Sequence, residues 1–288
     1  MTLRQRLLPY ALLAPGLIWL ILFFLIPMYF MGELSLKTGS LEQGYQLTWA
    51  FENYTSTISD YSTQFLRAFY YAGAASILCL LIGYPVAYAI AFKGGRWKNL
   101  MLFAVVAPFF TTYLIRTIAW KTILSDESPF VSFLKFLHIV PQDGHVLATG
   151  AAVIAGLTYN FLPFMILPLY AALERLDRSL LEAGKDLYAS ATQTFLRVTL
   201  PLTMPGIIAG VLLTFIPAAG DYVNVTFLGG TNQAMIGNVI QSKYLVVNDY
   251  PDAAALSFTL LVLILAALFV YIKFAGSEAL MGDEEEAA

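Results

Sequence analysis

"LLEAGKDLYASATQTFLRVTLPLTMPG", residues 180–206, decides the fold: it is charge-dotted, helix-friendly and closed by two prolines in a chain that is otherwise apolar. Ser179-x-x-Glu182 fits a capping box, in which the hydroxyl caps an amide of the first turn and the glutamate reaches back to the serine amide. Ser190-x-x-Gln193 repeats the pattern eleven residues later. The two signals predict a short helix from Ser179 to Leu187, a turn at Tyr188-Ala189-Ser190, and a second helix rising toward Pro201. Leu173, Leu176, Leu180 and Leu187 recur at near-helical spacing while Arg175, Arg178, Glu182, Lys185 and Asp186 project elsewhere, as in an amphipathic helix at an interface.

Outward from this stretch the chain is greasy. Of 288 residues 59% are apolar and 12% charged, against roughly a quarter charged in soluble domains. A membrane span needs about 20 mostly apolar residues. Windows poor in charge run from Leu7 to Gly32, Ala68 to Phe92, Asn99 to Ile115 and on past Arg116 to Trp120, Val146 to Leu173, Val198 to Gly220, and Ala253 to Ile272. The expectation is an all-α integral membrane protein of six transmembrane helices, with the opening stretch between the fourth and fifth. Pro201, Pro205, Gly206, Gly210 and Pro217 crowd the fifth window, which places it inside a bundle where neighbours re-satisfy the backbone. The division expected is a first span and outer loop (1–64), a transmembrane domain (65–272) and an acidic cytoplasmic tail (273–288).

Arg4 and Arg6 precede an apolar stretch too long for a signal-peptide core and without a small-x-small cleavage site, so an uncleaved first helix is expected. With six spans, ten basic residues share the terminal side, among them Lys93, Arg96, Lys98, Arg175, Arg178, Lys185 and Arg197, and six fall opposite: Lys37, Arg67, Arg116, Lys121, Lys135 and Lys243. The positive-inside rule then puts both termini and the opening stretch in the cytoplasm. Two polar loops, Leu34 to Arg67 and Lys121 to His145, fall outside, either as solvated connections or as a docking surface for an extracytoplasmic partner. The run Asp283-Glu284-Glu285-Glu286 reads as a tail without chemistry. Cys79 stands alone, which removes disulfides and cysteine-based metal sites; His138 and His145 sit in a polar loop without metal-site spacing, so no metal site is expected.

A connection between neighbouring helices needs only a few residues; this one spends 24, from 174 to 197, so it reads as a handle for another protein. Glu182-Ala183-Gly184, then Val198-x-Leu200-Pro201, resembles the "EAA" motif, E-A-A-x3-G-x9-I-x-L-P, of the membrane subunits of type-I ATP-binding-cassette importers. Gly184 replaces the second alanine, and Tyr188 stands where the family usually has glycine. "GYPVAYAIA" (83–91), "LPFMILPLYAALERLD" (162–177), "PLTMPGIIAG" (201–210), "IPAAGDYVNVTFLGG" (216–230) and "IGNVI" (236–240) are similar to one branch, the spermidine/putrescine-type permeases.

The resemblance implies a coupling helix gripped by a cytoplasmic ATPase subunit, with Ser179, Glu182, Ala183, Gly184, Lys185, Asp186 and Tyr188 at that contact and Val198, Leu200 and Pro201 as structural members of the motif. Glu182 has a second role open to it, capping its own helix. If the turn at Tyr188 needs a positive φ, tyrosine is costly there; either the turn is non-standard or the ring packs into the ATPase. The chain has no G-x-x-x-x-G-K-S/T phosphate cradle, so ATP and Mg are expected on partner ATPase chains and no cofactor on this one. The implied partners are two ATPase copies, a second similar permease chain and an extracytoplasmic substrate-binding protein, in a bacterial inner membrane.

For the cargo route, Asp221 is the one charge between Arg197 and Lys243, and an ionisable residue near a Gly/Pro-rich span is a functional candidate. Beside Tyr222 it offers an ammonium group both a carboxylate and an aromatic face; the alternative is a helix terminus in outer water. Tyr159 and Asn160 are expected to face the bundle interior. Arg116 is expected to snorkel outward or to pair with an acid such as Asp221. A permease for another solute (an anion, metal complex, sugar or vitamin) and an ion-coupled secondary transporter are the alternatives; the latter would show internal repeats, and none is evident.

Overall fold

The computed structural model describes residues 3–275, without the side chains of residues 3–11, 185, 274 and 275. The acidic run Asp283–Glu286 and the side chains of Arg4, Arg6 and Lys185 lie outside the described residues. In chain order, α1 covers 3–35, continuous through a π-helical stretch at Ile21–Leu25. β1 (Lys37–Ser40) and β2 (Gly44–Leu47) pair as an antiparallel hairpin with Lys37 opposite Leu47. Next come α2 (Glu52–Tyr88), α3 (Lys98–Val106), α4 (Tyr113–Ile123), α5 (Pro129–Phe136) and α6 (Gly150–Arg175). α7 (Arg178–Asp186) and α8 (Ala191–Leu202) follow, then α9 (Met204–Ala219), α10 (Val223–Leu228), α11 (Ile236–Ser242) and α12 (Tyr250–Ala275).

Four helical stretches are long and apolar enough to cross a membrane: Leu12–Ser35, Glu52–Lys93, Gly150–Arg175 and Tyr250–Lys273. The third and fifth windows of the sequence are not single straight helices. One resolves into Gly95–Phe110 and Tyr113–Ile123, bent by 94°, the other into Ala191–Leu202 and Met204–Ala219, bent by 65°. Six spans result when each bent pair counts as one. The causes are local. Thr111 and Thr112 are extended, at ψ 138° and 146°. Thr203 leaves helical geometry just ahead of Pro205, whose ring nitrogen has no hydrogen to bond the carbonyl four residues back.

The two polar loops also hold more structure than a solvated connection. Residues 34–67 contain the hairpin and the first turns of α2, and the second loop contains α5, capped by Ser128 on the Val131 amide at 3.1 Å. His145 pairs there with Asp126, and among the described residues no His, Cys, Asp and Glu side chains cluster as a metal site.

The chain divides into two compact units. One comprises the chain before Thr63 with Val239–Leu261; the other comprises Thr63–Asn238 with the chain after Leu261. In the second unit α6 is the central helix, with Leu157, Met165, Leu169 and Leu173 buried. α9 packs on it through Gly206 and Gly210, one helical turn apart. A Cβ on Gly206 would stand 2.5 Å from Ala172 Cβ and 2.9 Å from the Pro168 carbonyl oxygen, and one on Gly210 would stand 2.6 Å from Met165 Sδ. Such small-xxx-small faces let membrane helices approach closely. The sequence reading took these glycines as helix breakers; they lie inside α9 and form its contact face.

Candidate functional site

α7 and α8 form the expected helix-turn-helix. The start of α7 is one residue earlier than expected: Asp177 Oδ1 accepts the Ser179 amide at 2.9 Å, so Asp177 caps the helix in place of the Ser179–Glu182 box. Helix geometry beginning at Arg178 puts Ser179 within the first turn. That amide is the main reason the Asp177 carboxyl lies below the usual carboxylate range. The second box forms as read, Ser190 Oγ accepting the Gln193 amide at 3.3 Å and Gln193 Oε1 accepting the Ser190 amide at 2.9 Å.

Tyr188 adopts φ +56°. The Ala189 amide reaches back to the Gly184 carbonyl at 3.0 Å, the six-to-one bond of a Schellman cap whose left-handed residue is usually glycine. The turn does take a positive φ, and the Tyr188 ring, 97% exposed, packs on nothing among the described residues. Leu187 beside it is 81% exposed. Ser179, Glu182, Ala183 and Asp186 are also exposed, Gly184 is half-buried against Thr194, and the Lys185 side chain lies outside the described residues.

Two clamps fix this handle. At its root, Arg178 donates to the Ala91 carbonyl at 3.4 Å and lies over Phe92, and Lys98 pairs with Glu174. At the break between α8 and α9, the buried Thr203 hydroxyl is 2.8 Å from the Tyr84 hydroxyl of α2, and the Tyr84 ring meets Phe195 edge-on. Val198 and Leu200 are half-buried and Pro201 exposed, on the arm that ends at this break. The sequence reading missed Asp177, Arg178 as an anchor, Tyr84 and Thr203; only Asp177, an acid just ahead of a helix start, carried a signal.

A second cluster lies among α4, α6 and α10. Asp221 is 9% exposed. Its Oδ1 accepts the Asn224 amide at 2.8 Å, and its Oδ2 accepts the Tyr113 hydroxyl. Asn224 Nδ2 donates to that hydroxyl at 2.6 Å, and Asn160 Nδ2 donates to Asn224 Oδ1 at 3.2 Å. Gly156 admits this packing, since a Cβ there would stand 2.7 Å from Asn224 Oδ1 and 2.3 Å from Leu228 Cδ1. Asp221 is thus a helix terminus, as one alternative held, but a buried one.

Asn160 joins the Asp221 network through Asn224, whereas Tyr159 turns to Trp120 and lines an apolar cavity of about 370 Å³ with Ile90, Met101 and Pro108. Tyr222 is 43% exposed. Arg116 neither snorkels nor pairs with Asp221. It is buried over the rings of Phe109 and Tyr113, at 5.2 and 5.6 Å, with Nε and Nη1 lacking hydrogen-bond partners among the described residues. The rings take up part of its charge through cation–π attraction. Tyr113 and Asn224 were missed, although Asp221-x-x-Asn224 has the spacing of an acid capping a helix start.

Residues 6–275 match the family described as binding-protein-dependent transport system inner membrane component. The spermidine/putrescine transport system permease protein PotB of Haemophilus influenzae is 42% identical over 256 residues, covering 88% of this chain and 90% of that protein. Its counterpart in Escherichia coli is 39% identical over 254 residues, covering 88% and 92%. A crystal structure of a bacterial ABC transporter involved in the import of the acidic polysaccharide alginate shares the fold, with a TM-score of 0.69 at 20% identity over 94% of this chain and 96% of that one. A multi-pass helical fold, matched almost end to end by these relatives, places the chain in the family of binding-protein-dependent transport system inner membrane components, as a membrane permease subunit rather than an enzyme.

Proposed function

We propose that this chain is a permease subunit of an ATP-driven importer of polyamines, lying in a bacterial inner membrane with both termini in the cytoplasm. Its partners on this reading are two ATPase copies that bind ATP and Mg, a second similar permease chain and an extracytoplasmic substrate-binding protein. The sequence likeness to spermidine/putrescine permeases over 88% of the chain supports the cargo.

The observation that carries the coupling role is the handle itself: a helix clamped at its root by Arg178 and bare at its tip, where Leu187 and Tyr188 point away from the chain. An exposed aromatic on a strained backbone position calls for an external contact. The partner would grip α7 through Ser179, Glu182, Ala183, Gly184, Lys185, Asp186 and Tyr188. Movement would pass along α8, through Val198, Leu200 and Pro201, to the break at Thr203, where Tyr84 connects it to α2. With Ser179 displaced from the cap, Glu182 is left exposed for the partner.

The cargo route would use Asp221, Tyr222, Tyr159, Asn160 and Arg116. Asp221 supplies the one carboxylate of its network, and Arg116 beside Tyr113 would repel a cation until the network rearranges.

Uptake by the reconstituted complex with its binding protein tests this reading across polyamines, sugars and anions. Polyamine uptake is expected, lost in Glu182→Arg with membrane insertion intact and weakened in Asp221→Asn. Normal uptake and ATPase co-purification after deleting residues 179–187 would sink the coupling role, and uptake of a sugar or anion alone would sink the polyamine cargo.

A further inference from the structure

Among the described residues two charged side chains are buried, Arg116 at 7% and Asp221 at 9% exposure, and both touch Tyr113. They carry opposite charges, yet neither forms an ion pair with the other or with any further group among the described residues. A buried charge left without a partner is costly, and here two of opposite sign are held apart within one network. Tyr113 separates them. Its hydroxyl sits on Asp221 Oδ2 while its ring lies 5.6 Å from the Arg116 guanidinium carbon.

The network also has unspent hydrogen-bonding capacity of both kinds. Asn160, 1% exposed, donates through Nδ2 to Asn224 Oδ1 at 3.2 Å and to Thr117 Oγ1 at 3.4 Å, while its Oδ1 accepts nothing among the described residues. Arg116 Nε and Nη1 are its counterparts, buried donors without an acceptor there. An orphan acceptor in one network with a carboxylate held only by neutral donors suits an ammonium, which donates three hydrogen bonds and accepts none. The orphan guanidinium N–H groups suit a carboxylate, and Asp221 is the one that both cations could use. Tyr113 and Arg116 share a face of α4, three residues apart. They lie within a turn of Thr111–Thr112, where the chain bends by 94°, so a change in that bend would move both relative to Asp221.

We propose that Arg116 is a resident counter-cation for Asp221: a cargo ammonium and the Arg116 guanidinium take the carboxylate in turn, with the Tyr113 hydroxyl holding it between the two. The ammonium displaces the hydroxyl from Oδ2; the guanidinium, released as the bend at Thr111–Thr112 changes, then displaces the ammonium. Only hydrogen bonds are exchanged. The charge balance favours the second step. With the ammonium bound, two cations face one carboxylate; with Arg116 on Asp221 the charges cancel and the orphan N–H groups gain an acceptor. Arg116 is thus a positioning residue for cargo release. The ammonium rests on the proposed polyamine cargo; the pairing of Arg116 with Asp221 rests on two buried charges kept apart by one tyrosine.

Putrescine uptake by the complete transporter with its binding protein, reconstituted in liposomes, tests the exchange. Arg116→Gln removes the competing cation, so KM is expected to fall about tenfold and kcat to fall with it, because cargo binds but is not expelled. Arg116→Lys keeps a tethered cation and is expected to retain the wild-type KM and kcat, a test that holds even where the neutral variant does not assemble. With Asp221→Asn in place, Arg116→Gln is expected to change neither constant further, since both substitutions act on one pairing. A raised or unchanged KM in Arg116→Gln, loss of uptake in Arg116→Lys, or additive effects of the two neutral substitutions overturns the exchange and leaves the proposed function standing. A wild-type complex that takes up no polyamine refutes the proposed function, and the exchange with it.

Discussion

Tyr188 departs both from the glycine of the resembled motif and from its own backbone preference. A left-handed conformation costs a non-glycine residue about 1–2 kcal/mol, and Tyr188 adopts φ +56° with its ring in solvent. No contact among the described residues offsets that cost. Tyr188→Gly is therefore expected to stabilise the chain by about 1 kcal/mol, read as a higher unfolding midpoint in detergent, while lowering polyamine uptake by the assembled transporter. A stabilised variant with wild-type uptake would mean that the ring makes no working contact. The sequence exposed this position once the motif spacing put tyrosine where glycine was expected. It could not expose Arg116, whose surroundings are rings from its own and the preceding segment, brought over it by the bend at Thr111–Thr112.

Among elements, the α6–α9 contact decides how closely the helices of the second unit pack. The two glycines of α9 meet different obstacles. Gly206 faces a backbone carbonyl and Ala172 Cβ, which cannot swing aside, whereas Gly210 faces chiefly the thioether of Met165. A methionine side chain adapts to its surroundings more readily than backbone does. Gly206→Ala is expected to destabilise by about 1–3 kcal/mol, and Gly210→Ala by less. Thermal unfolding in matched detergent checks the order, and a larger loss for Gly210→Ala would contradict the packing described. The amphipathic pattern of α7 and the capping box of α8 were legible from residues close in sequence, whereas the α7 cap lies on Asp177 and not on Ser179 as expected. The bends in the third and fifth windows were not, because a hydropathy window measures composition and is blind to direction.

For the whole molecule the proposed orientation rests on the distribution of lysine and arginine, and it can be tested chemically. Cys79 is fully buried and donates to the Thr158 carbonyl at 3.3 Å, so it should stay silent toward a membrane-impermeant maleimide. Ser190 and Ser40 are exposed. Ser190→Cys is expected to label only from the cytoplasmic side, in inverted vesicles, and Ser40→Cys only from outside, in intact cells. The opposite result would invert the topology.

The sequence by itself determined the class: long apolar runs can be satisfied only by helices in a bilayer, and the handle announced itself through caps and motif residues close together in the chain. Those features are local, so a linear reading reaches them. The tertiary structure alone decided which polar groups meet. Asp221 found Tyr113, Asn160 found Asn224, Thr203 found Tyr84, and Asp60 came to share a cleft with Asp249 and Asp252. These partners lie scores of residues apart, and no periodicity or spacing records them, because they follow from where the bends at Thr111–Thr112 and Thr203, and the bond from Tyr45 of the hairpin to the Asn248 carbonyl, send the chain.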